Sequence, residues 1–248
     1  MTTSWGGVAG WYDDLLKEDD TYQAKVILPN LERLLDVQKG EVILDLACGQ
    51  GFFSHIFSRK ARQLIGVDIS KELIAIAEKN KQSNETFYIS PSDDLSMIDH
   101  ESIDTAFIVL ALQNIEKLKE TFLEVSRVLK KGGKFFIVLN HPTFRIPKQS
   151  SWGYDEDQEI QYRRIDAYLS ESRVDIDMHP GQKGAEKTVS FHRPLQTFFK
   201  QLGKAGFAVS RLEEWNSHKK SEKGKRSNAE DQSRKEIPLF MCLEAVKL

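Results

Sequence analysis

Val42-Ile43-Leu44-Asp45-Leu46-Ala47-Cys48-Gly49-Gln50-Gly51 decides how the rest of this 248-residue chain is read. The apolar run Val42–Leu46 fits a strand covered on both faces of a parallel sheet, and small residues follow it in a turn. Gly49 and Gly51 permit a sharp reversal and bring bare backbone close to a ligand. Residues 52–59 then read as a helix whose free N–H groups point at that ligand. Strand, glycine turn and helix, in that order, build a nucleotide pocket at the carboxyl edge of an open α/β sheet.

Asp45 narrows the choice of nucleotide. A carboxylate at the strand tip repels a pyrophosphate by a few kcal/mol at ~4 Å and intermediate dielectric. It attracts a ligand carrying a sulfonium and an ammonium. The dinucleotide fingerprint G-x-G-x-x-G also fails, because Ser54 stands where its third glycine belongs. Farther on, Leu64-Ile65-Gly66-Val67-Asp68 is a second apolar run ending in an acid, placed to accept from both hydroxyls of a ribose.

These two stretches resemble the class I S-adenosylmethionine-dependent methyltransferases, whose first motif has the form D-x-G/A-C-G-x-G and whose second is an acid ending the second strand. The resemblance implies an α/β fold: a doubly wound, Rossmann-like sheet of seven strands, mostly parallel with the last antiparallel, and helices on both faces. It implies S-adenosylmethionine as cofactor, held in the first turn by Asp45, Ala47, Cys48, Gly49 and Gly51 and at the second strand by Asp68 and Ile69. Ser90-Pro91-Ser92-Asp93-Asp94-Leu95 occupies the place of the family's adenine motif, which implies contacts from Ser92 and Asp93. Pro91 stands where many members have an acid and cannot accept from the adenine amino group. Leu110-Ala111-Leu112-Gln113-Asn114-Ile115 matches the family's "VLHHL", which sets Leu110 and Gln113 along the methionine. Its two histidines are Gln113 and Asn114 here, so no base comes from that motif. Val8-Ala9-Gly10-Trp11-Tyr12-Asp13 is similar to the "VAxxYD" of small-molecule methyltransferases related to the quinone-biosynthesis C-methylating enzymes. That similarity implies that Tyr12 covers the cofactor and Trp11 the acceptor.

The remaining pattern alternates as a doubly wound fold requires. A helix is expected over 71–79, a strand over 86–89, another over 104–110, and a helix over 119–129 stopped by Gly132-Gly133. Strands over 134–139, 207–215 and 239–246 and a helix over 194–205 complete the sheet and its cover. The run Leu129-Lys130-Lys131-Gly132-Gly133-Lys134 is similar to the family's "LKPGG". The chain therefore reads as a single domain, 1–248, with two additions. Residues 141–193 stand where a short loop would suffice and read as an inserted substrate lid. They hold an alternating stretch at 174–178 and another at 189–192, with a turn at Pro180-Gly181, which together form a hairpin. Residues 216–236 are almost wholly polar and read as a mobile loop.

Bulk composition sets limits. A net charge of −2 gives no general attraction to nucleic acid or an anionic membrane. Cys48 and Cys242 form no metal or disulfide pattern and read as reduced thiols, so no metal is expected. No leader-like or membrane-spanning run is visible, and a cytoplasmic location is the expectation. Neither the oligomeric state nor the acceptor is legible.

Chemically, the reaction implied is an in-line displacement of a methyl group from sulfur onto a small-molecule acceptor, in which the protein positions and desolvates. Any base must be a histidine. His141 follows the fifth strand at the ligand edge, and His192 lies on the hairpin's polar face, where a register opposite Asp175 would make an Asp–His pair. Trp11, Arg145, Tyr154 and Arg163 are the candidates for the acceptor itself, since aromatics with arginines suit a planar or anionic molecule. Two other readings remain open. The basic run Lys219-Lys220, Lys223, Lys225 and Arg226 would serve an RNA or protein methyltransferase. Pro91 and the missing histidines would suit a cofactor-binding regulator without turnover.

Overall fold

Seven strands lie side by side in the order β10-β11-β5-β4-β1-β2-β3, in a computed structural model that describes residues 5–178 and 186–248. They are β1 (Val42–Leu46), β2 (Gln63–Asp68), β3 (Glu85–Ile89), β4 (Ile103–Val109), β5 (Leu129–Asn140), β10 (Phe207–Trp215) and β11 (Phe240–Lys247). β1 pairs in parallel with β2 and β4, as do β2 with β3 and β4 with β5, while β11 runs antiparallel to both neighbours. Every residue of β1 is buried, as an apolar strand covered on both faces must be.

Two apolar layers explain that burial. On one face, Phe122 and Val125 of α5 (Leu118–Val128) and Phe198 and Leu202 of α6 (Leu195–Lys204) cover Leu44, Ile108 and Ile137. On the other, Leu31 and Leu34 of α2 (Leu28–Leu35) and Phe57 of α3 (Ser54–Phe57) cover Ile43, Phe107 and Phe136. α1 (Ala9–Lys17) precedes these, and α4 (Lys71–Lys79) opens on Ser70, whose hydroxyl accepts from the Leu73 N–H at 3.3 Å. At the amino end of the sheet Asp104 ties three strands, accepting from the Val42 N–H at 2.8 Å and from Lys130 Nζ at 2.5 Å.

Several expectations need correction. The helix expected over 52–59 is only the single turn α3, continued on either side by hydrogen-bonded turns, with the His55 N–H donating to the Gly51 carbonyl at 2.9 Å and the Ala61 N–H to the Phe57 carbonyl at 3.2 Å. The helix expected to run to 129 ends at Val128 and passes directly into β5, with Gly132 at φ 77° bending that strand's first residues instead of stopping a helix. Residues 216–236 are not a loop throughout: α7 (Ser227–Glu236) occupies their second half. Its acid near the start, Glu230, and its bases near the end, Arg234 and Lys235, oppose the helix dipole, an ordering that bulk polarity conceals. The Ser221 N–H bonds Asp231, and Asn216 Nδ2 bonds the Lys235 carbonyl, which fastens the preceding segment to the helix.

Residues 141–193 contain two hairpins where one was expected. The first, β6 (Ser150–Asp155) with β7 (Ile160–Ile165), was hidden because its mixed polar sequence buries neither face fully. The second is β8 (Ser172–Asp177) with β9 (Lys187–His192); the connecting turn, including His179, Pro180 and Gly181, lies outside the described residues. Its register sets His192 opposite Ser172 and Asp175 opposite Val189, so His192 and Asp175 point to opposite faces. The Asp–His pair is therefore not formed.

Gly66 sits between Asp45 and Phe87 in the parallel register, and a Cβ there would lie 2.4 Å from the Phe87 ring and 3.0 Å from Cys48 Sγ. Gly66→Ala should lower stability by about 1–3 kcal/mol through forced overpacking. A denaturant midpoint equal to that of the parent chain would show that the ring yields freely and refute the packing argument.

Candidate active site

Chain order reverses between β1 and β4, and the tips of these two strands, with that of β2, frame a crevice at the carboxyl edge. The backbone there is left-handed at Ala47 (φ 57°), Gly49 (57°), Gly51 (85°) and Leu110 (51°). Ala47 and Leu110 hold this conformation with a side chain attached, at a cost on the order of 1 kcal/mol each. The turn is fixed by Asp68, whose Oδ2 accepts from the Gly49 N–H at 2.9 Å and whose Oδ1 accepts from the Ser70 N–H at 2.8 Å. Each oxygen keeps a further lone pair for a ligand. Burial raises the Asp68 carboxyl above the usual range, against the pull of these backbone donors.

Asp45 is only 2% exposed and accepts from Ser54 Oγ at 2.6 Å. Burial pushes its carboxyl up to about 8; the Ser54 bond opposes this, and the nearby acids Asp68 and Glu85 add to it. Cys48 is buried beside it, its thiol pushed well above the usual range by the same desolvation.

Two cavities open at this edge. The smaller, of about 150 Å³, is bordered by Asp45, Ala47, Cys48, Gly49, Asp68 and Ile69. The larger, of about 480 Å³, lies beneath the β8–β9 hairpin and is bordered by Trp11, Gln113, Arg145, His192 and Arg193 among others. Trp5, Leu110 and Asn114 border both, so the two spaces adjoin. Asn114 fastens the hairpin over them, its Nδ2 donating to the Val189 carbonyl at 2.7 Å. Gln113 donates to the Leu110 carbonyl, and its Oε1 is buried without a partner.

Not every expected residue comes to this place. Ser92 and Asp93 border neither cavity: Ser92 Oγ bonds Thr121 at 2.9 Å, and Asp93 pairs with Lys117 at 2.6 Å. Gly51 shapes the turn from behind, where a Cβ would meet His55 at 2.8 Å. The Tyr12 side chain lies outside what the structure describes. His141 is turned away from the cavities: its Nε2 bonds Glu214 at 2.7 Å, its Nδ1 accepts from the Thr143 N–H at 3.2 Å, and it is 3% exposed. Burial holds its pKa below the usual histidine range, against the Glu214 bond, and with both nitrogens engaged it cannot act as the base. Arg163 is spent on structure, donating to the Phe144 carbonyl at 2.8 Å and to Ser150 Oγ at 2.7 Å. Tyr154 lies under Arg226, 4.3 Å from ring centre to guanidinium, in the first hairpin and away from both cavities.

His192 does border the larger cavity. Its Nε2 donates to the Tyr168 carbonyl at 2.7 Å, which leaves Nδ1 to carry the lone pair. Arg193 was missed by sequence reading, which weighed arginines only within the aromatic part of the insert. Gln50, also missed, is buried at the border of the smaller cavity.

Comparison with known proteins places this crevice in a family. Residues 44–137 match a methyltransferase domain family. The chain is 28% identical over 170 residues to malonyl-[acyl-carrier protein] O-methyltransferase of Marinomonas sp., covering 66% of this chain and 63% of that protein. It is 27% identical over 167 residues to demethylmenaquinone methyltransferase of Thermobifida fusca, covering 63% and 70%. A crystal structure of an S-adenosylmethionine-dependent methyltransferase from Mesorhizobium loti superposes with a TM-score of 0.71 at 27% identity, over 88% of this chain and 96% of that one. Residues 44–137 carry a methyltransferase domain, on the fold of an S-adenosylmethionine-dependent methyltransferase. S-adenosylmethionine is accordingly its cofactor, and acids bordering the smaller cavity beside bare backbone suit a cationic nucleoside. No described helix of the methyltransferase is long and apolar enough to cross a membrane.

The buried acid gives the ligand-free methyltransferase a definite pH response. Between about pH 4 and pH 8 the unfolded chain has released the Asp45 proton while the folded chain retains it. The folded state then binds more protons, so stability falls as pH rises through that window. Asp45→Asn should flatten this slope relative to the parent chain in denaturant titrations at pH 5 and pH 8. Equal slopes for the two proteins would show that Asp45 ionises freely.

Proposed function

We propose that this methyltransferase transfers the methyl group of S-adenosylmethionine to a small-molecule acceptor held in the larger cavity. The observation that carries the reading is the adjacency of the two cavities at Leu110 and Asn114, with the β8–β9 hairpin forming part of the second cavity's wall. A volume near 480 Å³ falls in the range of small-molecule sites and is too confined for a folded nucleic acid or protein surface. The demethylmenaquinone relative, whose name specifies a small-molecule acceptor, supports the same direction. The basic run that favoured a macromolecular substrate is partly neutralised, Lys219 by Asp20 and Arg226 by Glu156.

In this reading the chain is one domain, 1–248, with 141–193 as its acceptor lid. The β8–β9 hairpin forms part of the cavity wall, and Trp152 of the β6–β7 hairpin stacks against Arg145 at its border. The cofactor supplies a methyl group already activated on a cationic sulfur, so the protein's work is alignment and exclusion of water. Asp68 holds the ribose hydroxyls with its remaining lone pairs, and Asp45 favours the cationic end. Gln113 Oε1 offers an acceptor to the methionine or to the reacting molecule. Trp11 faces the acceptor side. His192 Nδ1 takes the proton when the attacking atom still carries one.

Asp68→Ala should weaken S-adenosylmethionine binding by about 1.5–3 kcal/mol in calorimetry, since a charged hydrogen-bond acceptor is lost. Undiminished affinity, or tight binding of NAD by the parent chain, would contradict the cofactor assignment. His192→Ala should slow transfer by roughly 10²–10⁴-fold, with recovery at higher pH where the acceptor ionises unaided. Release of S-adenosylhomocysteine in the presence of RNA or protein, and with no member of a broad small-molecule panel, would overturn the acceptor assignment.

A further inference from the structure

Two guanidinium groups border the larger cavity, and neither is paired with a carboxylate among the described residues. Arg145 makes no side-chain hydrogen bond there, and its Nε is buried without a partner. It lies over the Trp152 ring at 5.6 Å, with Arg163 over the same ring at 5.1 Å. Stacking satisfies the face of a guanidinium and leaves its N–H edge unused. Arg163, by contrast, spends its donors on Phe144 and Ser150. Arg193 is 7% exposed and lies 4.9 Å over Phe191. Its Nη2 is anchored by the Ile115 and Glu116 carbonyls, both at 2.9 Å, while its Nη1 is buried without a partner.

A charged group in an apolar cavity without a counter-charge is costly, and proteins rarely leave one so. Desolvation lowers the pKa of both arginines; the neighbouring Arg163 lowers that of Arg145 further, while Glu171 and Glu116 offset only part of the effect at Arg193 without pairing with it. Among the described residues the one acid at the cavity border, Asp177, is exposed and stands opposite Lys187 across the hairpin. Apolar surface makes up much of the remaining wall, from Trp5, Trp11, Leu139, Ile176 and Phe198.

We propose that the acceptor carries an oxyanion, a carboxylate or phosphate, on an apolar body, and that Arg145 and Arg193 bind that anion. The proposal rests on the reading that the larger cavity is the acceptor site. A planar guanidinium fork matches either oxyanion with two parallel hydrogen bonds, and a neutral analogue leaves the donors unpaired. The anion also offsets the positive charge that the cofactor brings to the adjoining space.

The test is equilibrium binding of benzoate, benzamide and phenyl phosphate to the full chain saturated with S-adenosylhomocysteine. At least one of the two anions should bind roughly 10- to 100-fold more tightly than benzamide, the range for a hydrogen-bonded charge. The stronger of the two identifies carboxylate or phosphate as the source. Arg145→Gln, whose side chain makes no hydrogen bond to lose, should bring the anion close to benzamide and leave S-adenosylhomocysteine affinity unchanged. Arg193→Lys keeps the charge but loses the fork, and should give an intermediate loss once thermal unfolding shows it to be folded. Equal binding of anions and benzamide by the parent chain, no binding of any probe, or equal weakening of all by Arg145→Gln would overturn the proposal. These measurements need no methyl transfer, so an enzyme that binds the anion without turning over fails the functional reading alone.

Discussion

The carboxylate of Asp68 is the point on which the crevice depends. It joins the tip of β2 to the turn after β1 by accepting from the Gly49 N–H, and it holds the start of α4 by accepting from the Ser70 N–H. A second tie, from the Cys48 N–H to the Val67 carbonyl at 3.1 Å, runs alongside. Together they hold Ala47 and Gly49 in left-handed conformations that a free turn would leave. Gly66 allows this closeness, because nothing larger fits between Phe87 and Cys48. The strain is therefore borne by a network that also positions the ligand-facing atoms.

Above the crevice, the two hairpins of the insert divide the work. The first is an exposed ribbon whose Trp152 and Arg163 brace the segment that carries Arg145. The second is tied directly to the sheet. Asn114 reaches the Val189 carbonyl, and Arg193 reaches the carbonyls of Ile115 and Glu116, so residues 114–116 of the connection after β4 are tied to β9 and to the residue that follows it. That connection also borders both cavities. The backbone of residues 110–116 therefore joins the hairpin to the wall between the two cavities.

The sheet was legible because its signals are local. Buried parallel strands read as continuous apolar runs, and the turn after β1 needs glycine at fixed places. Arg145, expected among the inserted aromatics and arginines, and His192, expected on the hairpin's polar face, both border the larger cavity. What failed depended on register or on side-chain direction. His141 has the right position in the chain, but Glu214 on β10 draws its ring away from the crevice. His192 and Asp175 have the right spacing for a pair, but pairing of Ser172 with His192 sets them on opposite faces. α7 was read as loop because its stability comes from charge order and not from an apolar stripe.

Charge balance connects the two halves of the site. The acid at the tip of β1 is held near 8 when no cation is beside it, so a cationic cofactor and the ionised form of Asp45 stabilise each other. That exchange neutralises the cofactor's end of the crevice and leaves Arg145 and Arg193 without a paired carboxylate at the other. Loading the cofactor alone therefore raises the cost of an acceptor that is neutral or positive, and lowers it for one that is negative. The same fields act on the attacking atom: guanidinium groups nearby lower the pKa of an acidic acceptor and favour its ionised form. An acceptor drawn in by its anion would thus lean less on His192 as a base than a neutral alcohol or amine would. Under that proposal the arginines would set which molecule enters, and through that choice how much proton transfer the histidine performs.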